Sequence, residues 1–185
     1  MGNCRTSSGA AVNRLRTRVS DLDRQRRHRS TARAVFRLHP EPESWLDVGT
    51  GDAHFPDTAR ELFPYTAFDG VDPDPRVLWA RAVERLEEAY VGVLTDPHVA
   101  VPLRSRYDVV TLLRAPDSRE ELHAALTLLR PAGLLLLEIP HAHSEALRAE
   151  LESYGCEIAA TTRLVLDRFA TNAHRLIARR PSESP

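Results

Sequence analysis

Two short stretches hold the residue types that can do chemistry. In Trp45-Leu46-Asp47-Val48-Gly49-Thr50-Gly51 an apolar strand runs into a carboxylate and then a glycine turn. In Phe68-Asp69-Gly70-Val71-Asp72 a second apolar strand ends in another carboxylate. Glycine has no Cβ, so a ligand can lie close against its main chain. An acid at the end of the next strand can accept hydrogen bonds from ribose hydroxyls. Asp47, Gly49, Thr50, Gly51 and Asp72 therefore outline a pocket for a nucleoside-containing cofactor. Asp47 has a second reading, as an acid that only braces the turn.

Other groups are more isolated. His141 and His143 follow the fifth expected strand, where a histidine could act as general base for a hydroxyl or amine nucleophile, or simply face solvent in a loop. No metal site is expected, because this pair has too few ligands and no spacing calls in Glu138 or Asp117. His54 reads as a loop residue or as a neighbour of the ligand; Arg114 reads as a binder of an anionic group or of a helix end. Several chemistries are excluded. No Lys exists for a phosphate-binding Walker loop. No G-x-S-x-G nucleophile elbow occurs. A dinucleotide fold would want glycine where His54 stands.

These residues need a scaffold, and strand and helix signals alternate along the chain. Strands are expected at 44–48, 67–71, 90–94, 107–113 and 134–139, with two closing strands at 156–166 and 173–179. Between them, one helix starts close to Pro56 and runs to about Phe63, since proline lacks a donor and suits a first turn. Another opens at Asp74-Pro75 and runs through Leu86. Ser118-Arg119-Glu120-Glu121 is a capping box. The helix after it carries Leu122, Ala125, Leu126 and Leu129 on one face, and Pro131-Ala132-Gly133 ends it. A further helix covers 144–154, stopped by Gly155. Such alternation with short connections predicts an α/β fold: a doubly wound, mostly parallel seven-stranded sheet with helices on both faces, ligands binding at the carboxyl ends of the strands.

The beginning of the chain differs. From Val12 to about Leu38 it is helical in character and basic, with ten arginines from Arg5 to Arg37 against Asp21 and Asp23. Phe36 alone among Phe, Tyr and Trp lies between the arginines, too little to stack on bases, so a solvated helix covering one side of the domain is preferred over a nucleic-acid contact. Residues 1 to about 12 lack periodicity and read as disordered. His39-Pro40-Glu41-Pro42 is a stiff break. The expected division is 1–42 for the start and basic helix, 43–180 for the α/β domain, and a polar tail at 181–185.

With 185 residues and 42% hydrophobic content the chain suits one domain with a real core, and a net charge of -1 gives no global pull toward nucleic acid or membrane. All 25 basic residues other than histidine are arginine, which reads as the coding bias of a GC-rich, bacterial genome. Two distant cysteines, Cys4 and Cys156, argue for a reducing cytoplasm rather than a disulfide framework. The longest apolar run is far too short to span a bilayer, and no leader segment is visible. Met1-Gly2-Asn3-Cys4-Arg5-Thr6 fits the loose myristoylation pattern, a coincidence in a bacterial composition.

Taken in order, five segments resemble the class I S-adenosylmethionine-dependent methyltransferases. Leu46-Asp47-Val48-Gly49-Thr50-Gly51 is similar to that family's first motif, and Asp72 to its acid after the second strand. Tyr107-Asp108-Val109-Val110 resembles its fourth-strand motif. Leu129-Arg130-Pro131-Ala132-Gly133 before the strand 134–139 resembles its helix-turn-strand, and 154–158 with 174–180 its closing hairpin. The likeness spans about 44–180. It implies a Rossmann-like methyltransferase fold, S-adenosyl-L-methionine as cofactor and a small-molecule acceptor. It further implies that Gly49 and Gly51 pass beside the cofactor's amino-acid part, that Asp47 holds its ammonium, and that Asp72 takes both ribose hydroxyls. Asp96 falls where family members contact the adenine amino group, although Asp96-Pro97 is also a common turn signal. Val71, Pro73 or Leu113 would flank the adenine ring. His141 is the first candidate for a catalytic base. Three features depart from the pattern: Ala53 where a third glycine is usual, Pro56 soon after, and a short 114–117 where relatives carry a longer segment on the substrate side. They motivate an alternative, an inactive cofactor-binding partner or regulatory domain of the same fold.

Overall fold

Strands buried on both faces should be apolar almost throughout, and the central strands of this protein are, with Asp47, Asp69, Thr111 and Glu138 among the buried exceptions. The computed structural model describes residues 7–164 and 173–182. These form seven strands and six α-helices: α1 (Ser7–Phe36), β1 (Ser44–Val48), α2 (His54–Ala59), β2 (Ala67–Asp72), α3 (Arg76–Ala82), β3 (Ala89–Val91), α4 (Pro97–Ala100), β4 (Tyr107–Leu112), α5 (Arg119–Leu128), β5 (Leu129–Pro140), α6 (Ser144–Ser153), β6 (Glu157–Leu164) and β7 (Ala173–Arg179). One sheet runs in the order β3-β2-β1-β4-β5-β7-β6. The first five strands are parallel to their neighbours, and β7 runs antiparallel to both β5 and β6. The expected doubly wound, mostly parallel sheet is therefore what forms.

Side-chain alternation splits the core into two layers. Trp45, Val109, Leu134, Leu136 and Ile177 face α1, α2 and α3, where Ala32, Val35, Phe55, Ala59, Val77 and Ala80 meet them. Leu46, Val48, Val110, Leu112, Leu135 and Leu137 face the other way, toward Leu122 and Ala125 of α5 and Leu151 of α6. Trp45 is the centre of the first layer, with ring centroids 5.7 Å from Phe55, 5.2 Å from Phe63 and 5.4 Å from Phe68. This cluster fixes α2 and β2 against β1, and with them the turn between β1 and α2.

The α1 face also carries charge. Glu138 continues the face of Leu134 and Leu136, and Arg175 that of Ile177 on the adjacent strand, in register with Glu138. Both side chains are nearly inaccessible, and Arg175 Nη2 donates to Glu138 Oε1 at 2.8 Å. Arg27 Nε and the Thr31 hydroxyl of α1 donate to the same carboxylate, at 2.5 and 2.7 Å. Arg175 also reaches Ser30 and Thr31. A salt bridge at the centre of the interface thus joins α1 to β5 and β7.

Several boundaries differ from the sequence reading, each for a local reason. Helix α1 begins at Ser7, earlier than Val12. Pro56 is the third residue of α2 rather than near its first, which the unpaired N–H groups of a first turn permit. Helix α3 stops at Ala82 instead of Leu86, and Glu84 just beyond takes φ 61°. Strand β3 ends at Val91 because Gly92 turns at φ 148°. Strand β5 begins at Leu129, so Pro131-Ala132-Gly133 lies inside a strand with a register shift opposite Tyr107 to Val109. The myristoylation-like start with Cys4, the end of the expected 156–166 strand and the last three residues lie outside the described residues. Among the described helices none is long and apolar enough to cross a membrane.

Candidate cofactor site

Strand order reverses between β1 and β4, and the crevice at that switch is where open α/β sheets bind ligands. The turn after β1 forms one wall. Gly49 and Gly51 hold φ of +73° and +53°, values that L side chains adopt only with strain. Gly49 N–H donates to Val71 O at 2.8 Å, which ties the turn to the end of β2. A Cβ added at Gly51 would meet nothing within 4 Å, so the main chain there borders open space. Asp72 completes the wall: Oδ2 accepts from Gly51 N–H at 2.8 Å and Oδ1 from Asp74 N–H at 2.8 Å. Two backbone donors thereby aim a largely buried carboxylate at the turn, leaving further lone pairs for ribose hydroxyls.

Asp47 is buried one layer below. The Thr111 hydroxyl donates to Asp47 Oδ1 at 2.6 Å and accepts from Trp45 Nε1–H at 3.3 Å. Burial pushes the Asp47 carboxyl up to about 6; Thr111 and Thr50 oppose the shift and the Asp72 charge adds to it. Thr50 Oγ1 nevertheless lies outside hydrogen-bond geometry. It is one of two buried side-chain polar atoms among the described residues with no hydrogen-bond partner. Thr111, which braces Asp47, is the residue of this candidate site that sequence reasoning missed. Its signal was a single hydroxyl in the otherwise apolar run Val109-Val110-Thr111-Leu112.

The raised Asp47 value has a sign. The folded protein holds this proton more tightly than the unfolded chain, so the Asp47 contribution to stability is fully present below pH 4 and is lost as pH rises through 6. By linkage the loss is on the order of 3 kcal/mol. Asp47→Asn is therefore expected to raise Tm at pH 7.5 by a few degrees while weakening cofactor binding at least tenfold, read by calorimetry; a lower Tm with unchanged affinity would leave Asp47 as a brace only.

The other expected residues are distributed as follows. Ala53 takes the left-handed φ of 55° that a third glycine would adopt freely, a strain of about 1 kcal/mol. Its methyl is fully buried in the Trp45 layer, directed into the core. Pro73 is exposed beside Asp72. Asp96 caps α4, its Oδ1 accepting from His98 N–H at 2.9 Å. His141 opens a short 3-10 turn at the end of β5, exposed, with its ring 4.5 Å from that of His174. It sits on the same sheet edge as the turn, two strands away, a lateral offset of about 10 Å. Among the described residues no group of three His, Cys, Asp or Glu could hold a metal ion.

Arg114 forms the opposite wall, after β4. Nη1 and Nη2 donate to Glu121 Oε2 and Oε1 at 2.9 and 2.7 Å, and Nη1 also donates to Ala115 O. Ser118 caps α5 as expected, accepting from Glu121 N–H at 3.1 Å. The Glu121 carboxylate, however, accepts from Asp117 N–H and Arg114.

The family model described as a methyltransferase domain matches residues 22–175. No curated protein matches the chain. Among solved structures, the 1,6-didemethyltoxoflavin-N1-methyltransferase of Burkholderia thailandensis, with 1,6-didemethyltoxoflavin and S-adenosylhomocysteine bound, superposes with TM-score 0.65 at 16% identity. It covers 98% of this chain and 93% of that one. The antibiotic-resistance methyltransferase Kmr gives 0.61 at 21% identity over 80% and 91%. The N-methyltransferase NodS of Bradyrhizobium japonicum gives 0.63 at 12% identity over 86% and 97%. At such identities the likeness is one of fold.

Proposed function

The chain belongs to the methyltransferase-domain family and is a class I S-adenosylmethionine-dependent methyltransferase, and from that premise we propose that it methylates a small-molecule acceptor with S-adenosyl-L-methionine held at the Gly49–Gly51 turn. The observation that carries the site is the pairing of Gly51 N–H with the Asp72 carboxylate beside open space. The residues present suit the cofactor: Asp72 takes the ribose hydroxyls, Asp47 the ammonium, Thr50 supplies an unused hydroxyl, and Pro73 flanks the base. Asp96, already a helix cap, can offer the adenine amino group only what that cap leaves. When bound, the cofactor supplies an electrophilic methyl on a sulfonium. The protein's part is to hold an acceptor in line with it and, for a poor nucleophile, to remove a proton.

Two observations support a small acceptor. Three arginines of α1 are paired with carboxylates of the chain itself: Arg24 with Asp21, Arg27 with Glu138 and Arg29 with Glu61. The Burkholderia structure, similar over nearly the whole chain, holds a small heterocycle. The buried Ala53 methyl removes one ground for an inactive domain. All-arginine composition and the free, buried Cys156 support a bacterial cytoplasmic setting. With methyl-labelled cofactor and fractionated extract, label is expected in the low-mass fraction; label confined to RNA or protein overturns the acceptor class.

His141 is the proposed general base. His141→Ala is expected to lower turnover about 10²-fold while cofactor affinity stays within about twofold in calorimetry. Unchanged turnover removes His141 from the chemistry.

A further inference from the structure

The crevice has two walls, and the family reading uses only one. The second wall is Arg114. Its Nε stands 3.5 Å from where a Gly49 Cβ would be, so the guanidinium lies flush against the glycine turn. Three of its five N–H donors are committed, two to Glu121 and one to Ala115 O. Glu121 is itself nearly buried and fixed by Asp117 N–H at 2.7 Å. A planar fork gripped at both Nη atoms cannot swing, and its Nε edge is left facing the turn.

The charges are ordered. Asp47 and Asp72 lie on the β1–β2 side, and Arg114 lies across the turn from them. A ligand with an ammonium, a sulfonium and one carboxylate needs two acids and one cation. Glu121 neutralises Arg114 as a pair, so the guanidinium can donate to a carboxylate without repelling the sulfonium. A helix-end brace alone would need the Glu121 pair but not the approach to Gly49.

We propose that Arg114 is a specificity residue of the cofactor site, donating from its Nε edge to the carboxylate of the cofactor's amino-acid end. The proposal rests on the reading of the turn as an S-adenosylmethionine site, and it makes the protein selective for an intact amino acid over the same nucleoside thioether without the carboxylate.

Calorimetry with two probes tests it: S-adenosylhomocysteine, and its decarboxylated analogue, which keeps the amine. The wild-type protein is expected to prefer S-adenosylhomocysteine by about 30-fold or more. In Arg114→Gln/Glu121→Gln, which leaves no orphaned charge, that preference falls below about fivefold through weaker binding of S-adenosylhomocysteine alone. Equal weakening of both probes, or an unchanged ratio, overturns the proposal and leaves Arg114 structural. A wild-type preference under about threefold overturns it without any variant. Failure of the wild type to bind either probe would instead sink the cofactor reading itself.

Discussion

Glu138→Ala is expected to cost about 3–5 kcal/mol of stability, because it strips a buried cation of its partner. At roughly 2–4 °C per kcal/mol for a domain of this size, Tm should fall by about 6–20 °C. Arg175 is only 2% exposed, and after the substitution its guanidinium would keep only neutral partners in Ser30 and Thr31. Arg175→Met should cost less, since Glu138 would still hold Arg27 and Thr31. Replacing both together, as Glu138→Leu/Arg175→Met, should recover much of the loss, because well-packed apolar pairs often match buried ion pairs. The pH dependence runs opposite to that of Asp47. Burial pushes the Glu138 carboxyl up, but Arg27, Thr31 and Arg175 together hold it below the ordinary range. Its contribution is present above the unfolded value near 4.5 and is lost as pH falls. Thermal unfolding of the three variants checks this; a loss below about 1 kcal/mol for Glu138→Ala would show that α1 does not depend on the network.

Asp72→Ala carries the largest expected effect on binding. Two charged hydrogen bonds to ribose hydroxyls, each on the order of 1.5–3 kcal/mol, would vanish, raising Kd for S-adenosylhomocysteine about 10²–10⁴-fold. Gly51 and Asp74 would also lose the acceptor that orients the turn. Asp72→Asn keeps one carbonyl acceptor and should fall between the wild type and the alanine variant. Calorimetric titration separates the three; an alanine variant that binds within about threefold of the wild type would place the ribose elsewhere.

The turn and its two acids were legible in the sequence because the parallel sheet preserves local order. Val48 pairs with Val71 in adjacent strands, so the residues following them emerge side by side at one edge. Strand β7 was legible to its ends, the expected and observed bounds coinciding at Ala173–Arg179. What could not be read was pairing across long separations. Nothing local links Arg27 and Arg175 to Glu138, 111 and 37 residues away. The capping box hid a second role for Glu121, since the same N-terminal glutamate serves a helix start or an ion pair with Arg114. Leu129 to Gly133 read as a helix stop, because proline and glycine punctuate both helices and irregular strands. Ala53 read as a departure that could crowd the cofactor, and its left-handed backbone, with the methyl buried in the core, could not be read from the sequence.

The most direct test is a crystal structure of the protein saturated with S-adenosylhomocysteine. The expected result is the cofactor's amino-acid end lying along Gly49 to Gly51, its ammonium on the Asp47 side, and both ribose hydroxyls on the Asp72 carboxylate. A ligand bound anywhere else on the molecule, or none at saturating concentration, would contradict the account.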